Sequence, residues 1–300
     1  MEYFIIDDFF PRLSGCAVTL GKFDGFHRGH QKLIKKVLER KEQGEQAVVV
    51  TFQSANEMLF TSEEKSQYLE SLGVDVLIEC SLNEKLRYMK AEDFIKEVLV
   101  DCLQVSCVIV GEDFRFGYKR KGSPALLRKY GKTYHFDVEI CSREREENRK
   151  ISSADIREAL KKGNMEKVSK LLGRDFSLSG TVEHGNGIGH KKLVPTANVI
   201  PQKGKLMPPN GVYVTLFRFE DKEYRSITNV GYKPTIGDTT LGVETFLFDC
   251  NEDLYGKDCV VEFKKYVRPE QKFPSIEKLK EQIQQDIAVG MAYFEEKKIK

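Results

Sequence analysis

The feature that most constrains the fold is an apolar segment that leads into a glycine-rich turn and then into an amphipathic helix. Residues 17–20 predict a short buried strand, and residues 21–30 follow with the sequence Gly-Lys-Phe-Asp-Gly-Phe-His-Arg-Gly-His. Apolar residues then recur at helical spacing, at Leu33, Ile34, Val37 and Leu38. A strand, a turn and a helix N-terminus in this order predict an anion site, because the first backbone N–H groups of a helix have no partner.

The alternation of strand and helix continues through the first half of the chain. Short apolar runs predict further strands at residues 47–52, 74–78, 105–110 and 134–140. Amphipathic patterns predict helices at residues 62–72, 91–103, 124–130, 153–162 and 164–172. This order is typical of an α/β domain in which helices cover both faces of a parallel sheet. Such sheets bind ligands beyond the carboxyl ends of their strands.

The pattern changes near residues 173–180, beyond which glycine and proline cluster. Strands are predicted at residues 194–200, 211–219, 224–230, 243–249 and 258–267. Asp221 and Lys222 predict a hairpin turn between two of them. An apolar helical stripe closes the chain, at Ile276, Leu279, Ile283 and Ile287. We therefore expect two domains, residues 1–175 and 176–300, the second an antiparallel β-barrel with a C-terminal helix.

Composition narrows the classes of function. A net charge of +2 over 300 residues argues against a protein that coats nucleic acid. Residues 1–10 lack the basic start and apolar core of a secretory signal, and no apolar run is long enough to span a membrane. The seven cysteines are scattered without a C-x-x-C pair, which favours reduced thiols over a metal site or disulfides. We therefore expect a cytoplasmic protein.

The glycine-rich turn carries two histidines, His27 and His30. A lone histidine is usually structural, but two imidazoles at the start of a helix are placed to donate hydrogen bonds to phosphoryl oxygens. Gly25 and Gly29 let the backbone approach a ligand closely. The segment resembles the His-x-Gly-His signature of the nucleotidylyltransferases. With Phe-Asp-Gly before the first histidine, it is similar to the N-terminal module of the bacterial bifunctional riboflavin kinase/FAD synthetase family.

Two further segments resemble the same module. Residues 111–117, Gly-Glu-Asp-Phe-Arg-Phe-Gly, fit a loop that grips a planar ring or a structural turn with buried aromatics, and they resemble the family's G-x-D-F-x-F-G. The basic residues 119–121 fit a solvated loop or a loop that closes on phosphates. Ser153 and Arg157 share one face of a predicted helix, in a segment that resembles the family's I-S-S-T-x-I-R.

The resemblance implies that the first domain binds ATP and FMN. The binding residues it implies are Gly21, Phe23, Asp24, Gly25, Gly111, Asp113, Phe114, Phe116 and Ser153. It also implies that His27 and His30 hold the reacting phosphates and that Arg157 holds the departing pyrophosphate.

The second domain has a glycine-rich segment that ends in Pro-Thr-Ala-Asn. Its candidate nucleotide-binding residues are Gly185, Gly187 and Gly189. Thr196 and Asn198 lie two apart on a predicted strand and so point to one face, where a hydroxyl and an amide oxygen suit Mg²⁺. Glu244 shares a strand face with two phenylalanines. It fits a base that takes a proton from a substrate hydroxyl, or an outward-facing surface residue.

These segments resemble the riboflavin kinase module of the same family. That resemblance implies that the end of the chain, including Arg268, helps to cover the flavin. Several residues depart from the family's pattern, namely His190, Lys192, Leu193 and Lys233 in this domain and Ala154 before it.

The resemblance implies a Rossmann-like nucleotidylyltransferase domain followed by a six-stranded flavokinase barrel. It implies phosphorylation of riboflavin to FMN by ATP, then transfer of the adenylyl group of ATP to FMN, which gives FAD and pyrophosphate. Mg²⁺ would serve both reactions, and no nucleic acid or membrane partner is expected. Two alternatives stay open. One is a FAD synthetase whose kinase barrel has lost activity, and the other is a flavin-binding regulator without turnover.

Overall fold

The computed structural model describes residues 1–6, 9–52, 57–81, 83–142, 144–146, 149–183, 196–235 and 238–297 of the chain. It divides into two compact units, Met1–Ser153 and Ala154–Lys300. No helix within these ranges combines the length and the apolar character that crossing a membrane requires. The seven cysteines are free thiols.

The first unit is built on a parallel sheet. Its strands are β1 (Glu2–Ile6), β2 (Cys16–Gly21), β3 (Gln46–Phe52), β4 (Val76–Cys80), β5 (Val105–Gly111) and β6 (Asp137–Cys141). Their order across the sheet is β1-β4-β3-β2-β5-β6, and every pair is parallel. Since β3 lies on one side of β2 and β5 on the other, the strand order reverses at β2. A crevice for a ligand forms at such a point.

Helices connect these strands, and the predicted α/β architecture is confirmed. They are α1 (Arg28–Lys41), α2 (Ser62–Ser71), α3 (Glu84–Tyr88), α4 (Ala91–Asp93, continuing as a π-helical segment over Phe94–Cys102) and α5 (Pro124–Tyr134). Two apolar clusters bury the side chains of the central strands. A two-stranded ribbon, β7 (Arg145–Glu146) and β8 (Arg149–Lys150), follows the sheet.

The end of α5 corrects one predicted boundary. The sequence pattern ends this helix at residue 130 and starts the next strand at 134, but the helix runs to Tyr134. His135 stops it in a left-handed conformation with φ of 61°, and its N–H donates to the carbonyl of Gly131. The strand β6 therefore begins only at Asp137.

The second unit is dominated by an antiparallel sheet. The helix α6 (Ser153–Lys161) crosses the boundary between the units, and α7 (Met165–Leu172) follows it. The strands are β9 (Phe176–Thr181), β10 (Ala197–Val199), β11 (Gly211–Phe219), β12 (Lys222–Thr235), β13 (Asp238–Leu247) and β14 (Asp258–Arg268). Their order is β10-β13-β12-β11-β14-β9.

This sheet curls until its two edges meet, which confirms the predicted antiparallel six-stranded architecture. The N–H of Glu183, just beyond β9, donates to the carbonyl of Asn198 in β10 at 2.8 Å. A hairpin joins β11 and β12 as predicted. Because Phe219 pairs with Lys222, its two-residue turn is Glu220 and Asp221, and Lys222 already belongs to β12. Backbone pairing thus continues from the last strand in the order back to the first.

The C-terminal helix α8 (Ile276–Lys297) packs against β11 and β12 of the curled sheet. Ile287 and Phe294 contact Val214 and Ile227 in one apolar cluster, and Ile283 borders it. The helix begins at Ile276, the first residue of the predicted stripe, although Ile276 itself is 45% exposed. The helix meets the sheet only from its middle onward.

Candidate active sites

A cavity of about 770 Å³ lies in the first unit at the carboxyl ends of β2 and β5. Most of the residues predicted to bind a nucleotide or flavin line it: Gly21, Phe23, His27, His30, Gly111, Asp113, Phe114, Phe116 and Ser153. They come from three segments, residues 21–30, residues 111–116 and Ser153, which are 81 and 37 residues apart in the sequence and which the fold brings to one edge of the parallel sheet. The structure thus joins the predicted turn, loop and helix start in one site.

The two histidines form a stacked pair at the start of α1. His27 is the N-cap of this helix, and its Nδ1 accepts a hydrogen bond from the backbone N–H of His30 at 3.3 Å. The ring centroids of the pair are 3.6 Å apart, with 19° between the planes. A Cβ at Gly29 would lie 3.2 Å from Cε1 of His27, so the glycine makes room for the imidazole.

Both imidazoles are neutral at physiological pH. Burial lowers the pKa of His27 to about 4, and it holds the pKa of His30 well below its usual value near 6.5. Because Nδ1 of His27 accepts a hydrogen bond, the single proton of its neutral ring is on Nε2. Nδ1 of His30 is buried and has no hydrogen-bond partner within the part of the chain that the structure describes. The pair therefore offers uncharged hydrogen-bonding groups to a ligand.

Asp24 and Gly25 lie in the same turn but do not line the cavity. The carboxylate of Asp24 accepts a hydrogen bond from the backbone N–H of Leu59 at 2.8 Å. The hydroxyl of Ser153 donates to the carbonyl of Asp24 at 3.1 Å. Asp24 thus fastens the turn to two other segments, and its predicted contact with a ligand stays a prediction.

The loop after β5 has features of both predicted alternatives, a structural turn with a buried aromatic residue and a loop that can contact a planar ring. Phe116 is buried in the core, with its ring 5.6 Å from that of Phe94. Phe114 stacks on Phe116 at 5.5 Å, is only half-buried, and lines the cavity. Both rings border the cavity, but Phe116 is buried and anchors the loop, whereas Phe114 exposes more of its ring to the ligand space.

Arg157 belongs to the second unit. It follows Ser153 by one turn of α6, and the boundary between the units lies between them. Its predicted contact with pyrophosphate stays a prediction.

In the second unit, strand register brings Glu244 next to two asparagines. Glu244 on β13 pairs with Asn198 on β10 and with Asn229 on β12, so the three side chains share one face of the sheet. Asn198 Nδ2 donates to the carbonyl of Thr196 at 3.3 Å. This bond fixes the orientation of the amide and leaves its Oδ1 to accept from, or coordinate, a ligand. The amide oxygen of Asn198 and the carboxylate of Glu244 are hard oxygen donors that fit Mg²⁺, and the predicted contribution of the Thr196 hydroxyl stays a prediction.

Asn229 was not predicted as a site residue. It stands in a segment, Asn-Val-Gly-Tyr-Lys-Pro-Thr, that resembles the family's pattern, but only the pairing of β12 with β13 places it opposite Glu244. The glycines predicted to bind nucleotide, Gly185, Gly187 and Gly189, lie outside the described residues. Arg268 forms a two-pronged ion pair with Asp286 of α8, at 2.9 and 2.6 Å.

Comparison with known proteins decides the family. A family model described as FAD synthetase matches residues 10–155, and one described as riboflavin kinase matches residues 172–294. The bifunctional riboflavin kinase/FMN adenylyltransferase of Escherichia coli strain K12 is 35% identical over 292 residues, which cover 93% of each chain. The chain belongs to this bifunctional family. Its members act in FAD biosynthesis, and both enzymatic domains of the family are present here.

Other relatives of the family agree with this assignment. The protein of the same name from Buchnera aphidicola subspecies Acyrthosiphon pisum is 37% identical over 295 residues, which cover 94% of each chain. A crystal structure from Streptococcus pneumoniae, described as a macrolide-efflux protein, covers 96% of this chain and 98% of its own, with 28% identity and a TM-score of 0.82. Its backbone matches both domains of the family, whereas the efflux described for it belongs to that protein.

Proposed function

We propose that this chain converts riboflavin to FMN in its second unit and FMN to FAD in its first. The observation that carries the proposal is the cavity at the ends of β2 and β5, where a neutral histidine pair lies at the start of a helix. The matches at residues 10–155 and 172–294 support domain limits of 1–175 and 176–300. The substrates, ATP and flavins, are small molecules of the cell interior, which supports action in the cytoplasm.

In the first unit, an oxygen of the FMN phosphate attacks the α-phosphorus of ATP. A P–O bond forms to this oxygen, the bond to the β-phosphate breaks, and pyrophosphate leaves. His27 and His30 donate hydrogen bonds to the phosphoryl oxygens on which charge accumulates, and Arg157 neutralises the leaving pyrophosphate. Loss of one such donor typically lowers the rate by about 10²–10³-fold. Phe114 supplies an apolar wall for a planar ring.

In the second unit, Glu244 takes the proton of the riboflavin hydroxyl as that oxygen attacks the γ-phosphorus of ATP, and ADP leaves. Asn198 and Asn229 flank the carboxylate of Glu244 on the neighbouring strands and orient it. Thr196 and Asn198 would hold Mg²⁺, which supplies neutralisation of phosphate charge when it is bound. Arg268 fixes the end of β14 to α8, beside the region that we propose to cover the flavin.

A direct assay tests this function. The purified protein is incubated with Mg²⁺ and ATP together with either riboflavin or FMN, and the flavins are separated by chromatography. We expect FMN and FAD from riboflavin, and FAD from FMN. If FAD forms from FMN but no FMN forms from riboflavin, the protein is a FAD synthetase whose kinase barrel is inactive. If neither product forms, the protein is a flavin-binding protein without turnover.

A further inference from the structure

Part of the cavity rim carries positive charge that the proposed reaction has not used. Arg87, Lys119 and Arg120, which we name the rim cluster, line the cavity and are solvent-exposed. None of the three forms an ion pair with a carboxylate in the described ranges of the chain. Some other exposed cations of the same unit are paired, for example Lys36 with Glu39 and Lys41 with Asp75. The rim cluster is therefore a local excess of positive charge at the mouth of the site.

Two contacts hold the parts of the rim cluster together. The N–H of Tyr118 donates to the carbonyl of Met89 at 2.7 Å, and the rings of Tyr88 and Tyr118 are 5.5 Å apart. These contacts join the end of α3, which carries Arg87, to the turn that carries the other two cations. Gly117 precedes this turn with φ of 68°, and a Cβ there would lie 2.6 Å from Cα of Ala91. The backbone thus fixes the three cations on adjoining parts of one rim.

The turn itself has a costly backbone conformation. Lys119 and Arg120 are consecutive left-handed residues, with φ of 53° and 58°. Glycine and asparagine adopt this conformation at low cost, whereas lysine and arginine do not, so the turn is strained. Strain of this kind persists mainly where the surrounding structure imposes it, and it concentrates at ligand sites. In this turn, it directs two cations into the lining of the cavity.

The proposed reaction brings two phosphorylated reactants into this cavity. The start of α1 and its histidine pair provide one anion site, but ATP and FMN each carry phosphate charge, and their mutual repulsion opposes binding. We propose that the rim cluster is a second phosphate subsite, which binds either the FMN phosphate or the terminal phosphates of ATP. This inference rests on the proposed adenylyl transfer in the cavity. Guanidinium groups suit this task because they bind phosphate oxygens with two parallel N–H bonds.

The test is the combined variant Arg87→Gln, Lys119→Gln, Arg120→Gln, with Lys132→Gln on the exposed face of α5 as the control. KM for FMN and for ATP is measured in FAD formation, and the dissociation constant of each is measured by calorimetry. We expect one of the two ligands to bind at least about tenfold more weakly, as the loss of charged hydrogen bonds predicts, and kcat to change little. The affected ligand identifies which phosphate the subsite binds.

Other outcomes separate this inference from the proposed function. Unchanged affinity for both ligands would overturn the phosphate subsite, even if the protein makes FAD. If the unaltered protein makes no FAD, the proposed function fails, and calorimetry still decides whether the rim cluster binds phosphate. Circular dichroism and urea unfolding that match those of the unaltered chain show that the first unit of the combined variant is folded.

Discussion

At the scale of single residues, burial sets the chemistry of the histidine pair. An imidazolium at His27 or His30 would be desolvated, would lie against a second ring 3.6 Å away, and would oppose the positive end of the α1 dipole. The neutral rings can still donate hydrogen bonds to phosphoryl oxygens. We infer that the pair stabilises charge on the substrate and does not supply a positive charge of its own.

The pKa of His27 predicts a dependence of stability on pH. Its value is about 4 in the folded chain and near 6.5 in the unfolded chain, so between these values the unfolded state binds the additional proton. Stability therefore falls as the pH falls from 7 to 4.5, by roughly 2–3 kcal/mol from this group. The variant His27→Asn keeps a capping side chain but has no group that titrates in this range. Urea unfolding at pH 7 and at pH 4.5 should show that its free energy of unfolding decreases less than that of the unaltered chain, by this amount.

The control for this prediction is His135→Asn, at the exposed histidine that ends α5. Asparagine tolerates the left-handed conformation of that position. We expect His135→Asn to retain the decrease in stability between pH 7 and 4.5. An equal decrease in His27→Asn and in the unaltered chain would show that burial of His27 is not its cause.

Gly29 predicts a defect confined to one activity. In Gly29→Ala the new methyl group meets Cε1 of His27 at 3.2 Å and Nδ1 at 3.3 Å, so the imidazole must move. A shift of a few tenths of an ångström in one preorganised donor is expected to slow FAD formation by about tenfold. Initial rates of FAD formation from FMN and of FMN formation from riboflavin measure the effect. Normal FAD formation would show that the position of the His27 ring is unimportant.

At the scale of elements, the ion pair between Arg268 and Asp286 joins the last strand to the last helix. Asp286 is 3% exposed, and both of its carboxylate oxygens accept from the guanidinium. The apolar contacts of α8 lie on either side of this pair, at Ile283, Ile287 and Phe294. The pair therefore fixes the register of α8 on the curled sheet.

Removing one charge of this pair is expected to loosen the helix. Asp286→Asn leaves the guanidinium of Arg268 without its carboxylate, which should lower the free energy of unfolding by roughly 2–3 kcal/mol. Urea unfolding followed by circular dichroism measures the change. The matched control is Glu281→Gln, which removes the exposed pair with Lys278 and should change stability by less than about 0.5 kcal/mol. Equal effects of the two variants would contradict the assigned role of Arg268.

Sequence patterns predicted elements well where each element carries its own signal. The capping box of Thr61 and Glu64 that begins α2 and the apolar run of β3 are local signals, and the helix and the strand predicted there both formed. The short helix α3 buries none of its residues, so it leaves no apolar pattern to detect. The stripe of α8 begins where it was predicted, but its first residue is exposed because the apolar residues continue beyond the surface that covers them.

The sites likewise divide into features that a local sequence pattern predicts and features that only the folded backbone brings together. The turn at His27 could be recognised because its glycines and histidines are neighbours in the chain. The partnership of Glu244 with Asn229 depends on the register of two long strands, and that of Arg87 with Lys119 depends on a hydrogen bond between distant segments. Pairings of this kind are set by the folded backbone, and no local pattern in the sequence encodes them.

At the scale of the whole molecule, one chain carries two sites whose reactions follow one another. The product of the riboflavin kinase reaction, FMN, is the acceptor in the adenylyl transfer. Each site is built from residues of its own described unit, apart from the predicted contribution of Arg157. The central claim is therefore that the two activities can be removed independently by single substitutions.

The most direct test measures both activities in His30→Ala and Glu244→Gln with Mg²⁺ and ATP. His30→Ala should form FMN from riboflavin at the normal rate and lose at least about 10²-fold in FAD formation from FMN. Glu244→Gln should form FAD from supplied FMN at the normal rate and lose at least about 10²-fold in riboflavin phosphorylation. This reciprocal loss is the result that the account predicts. If either substitution leaves both activities unchanged, or if each removes both, the assignment of one reaction to each site is wrong.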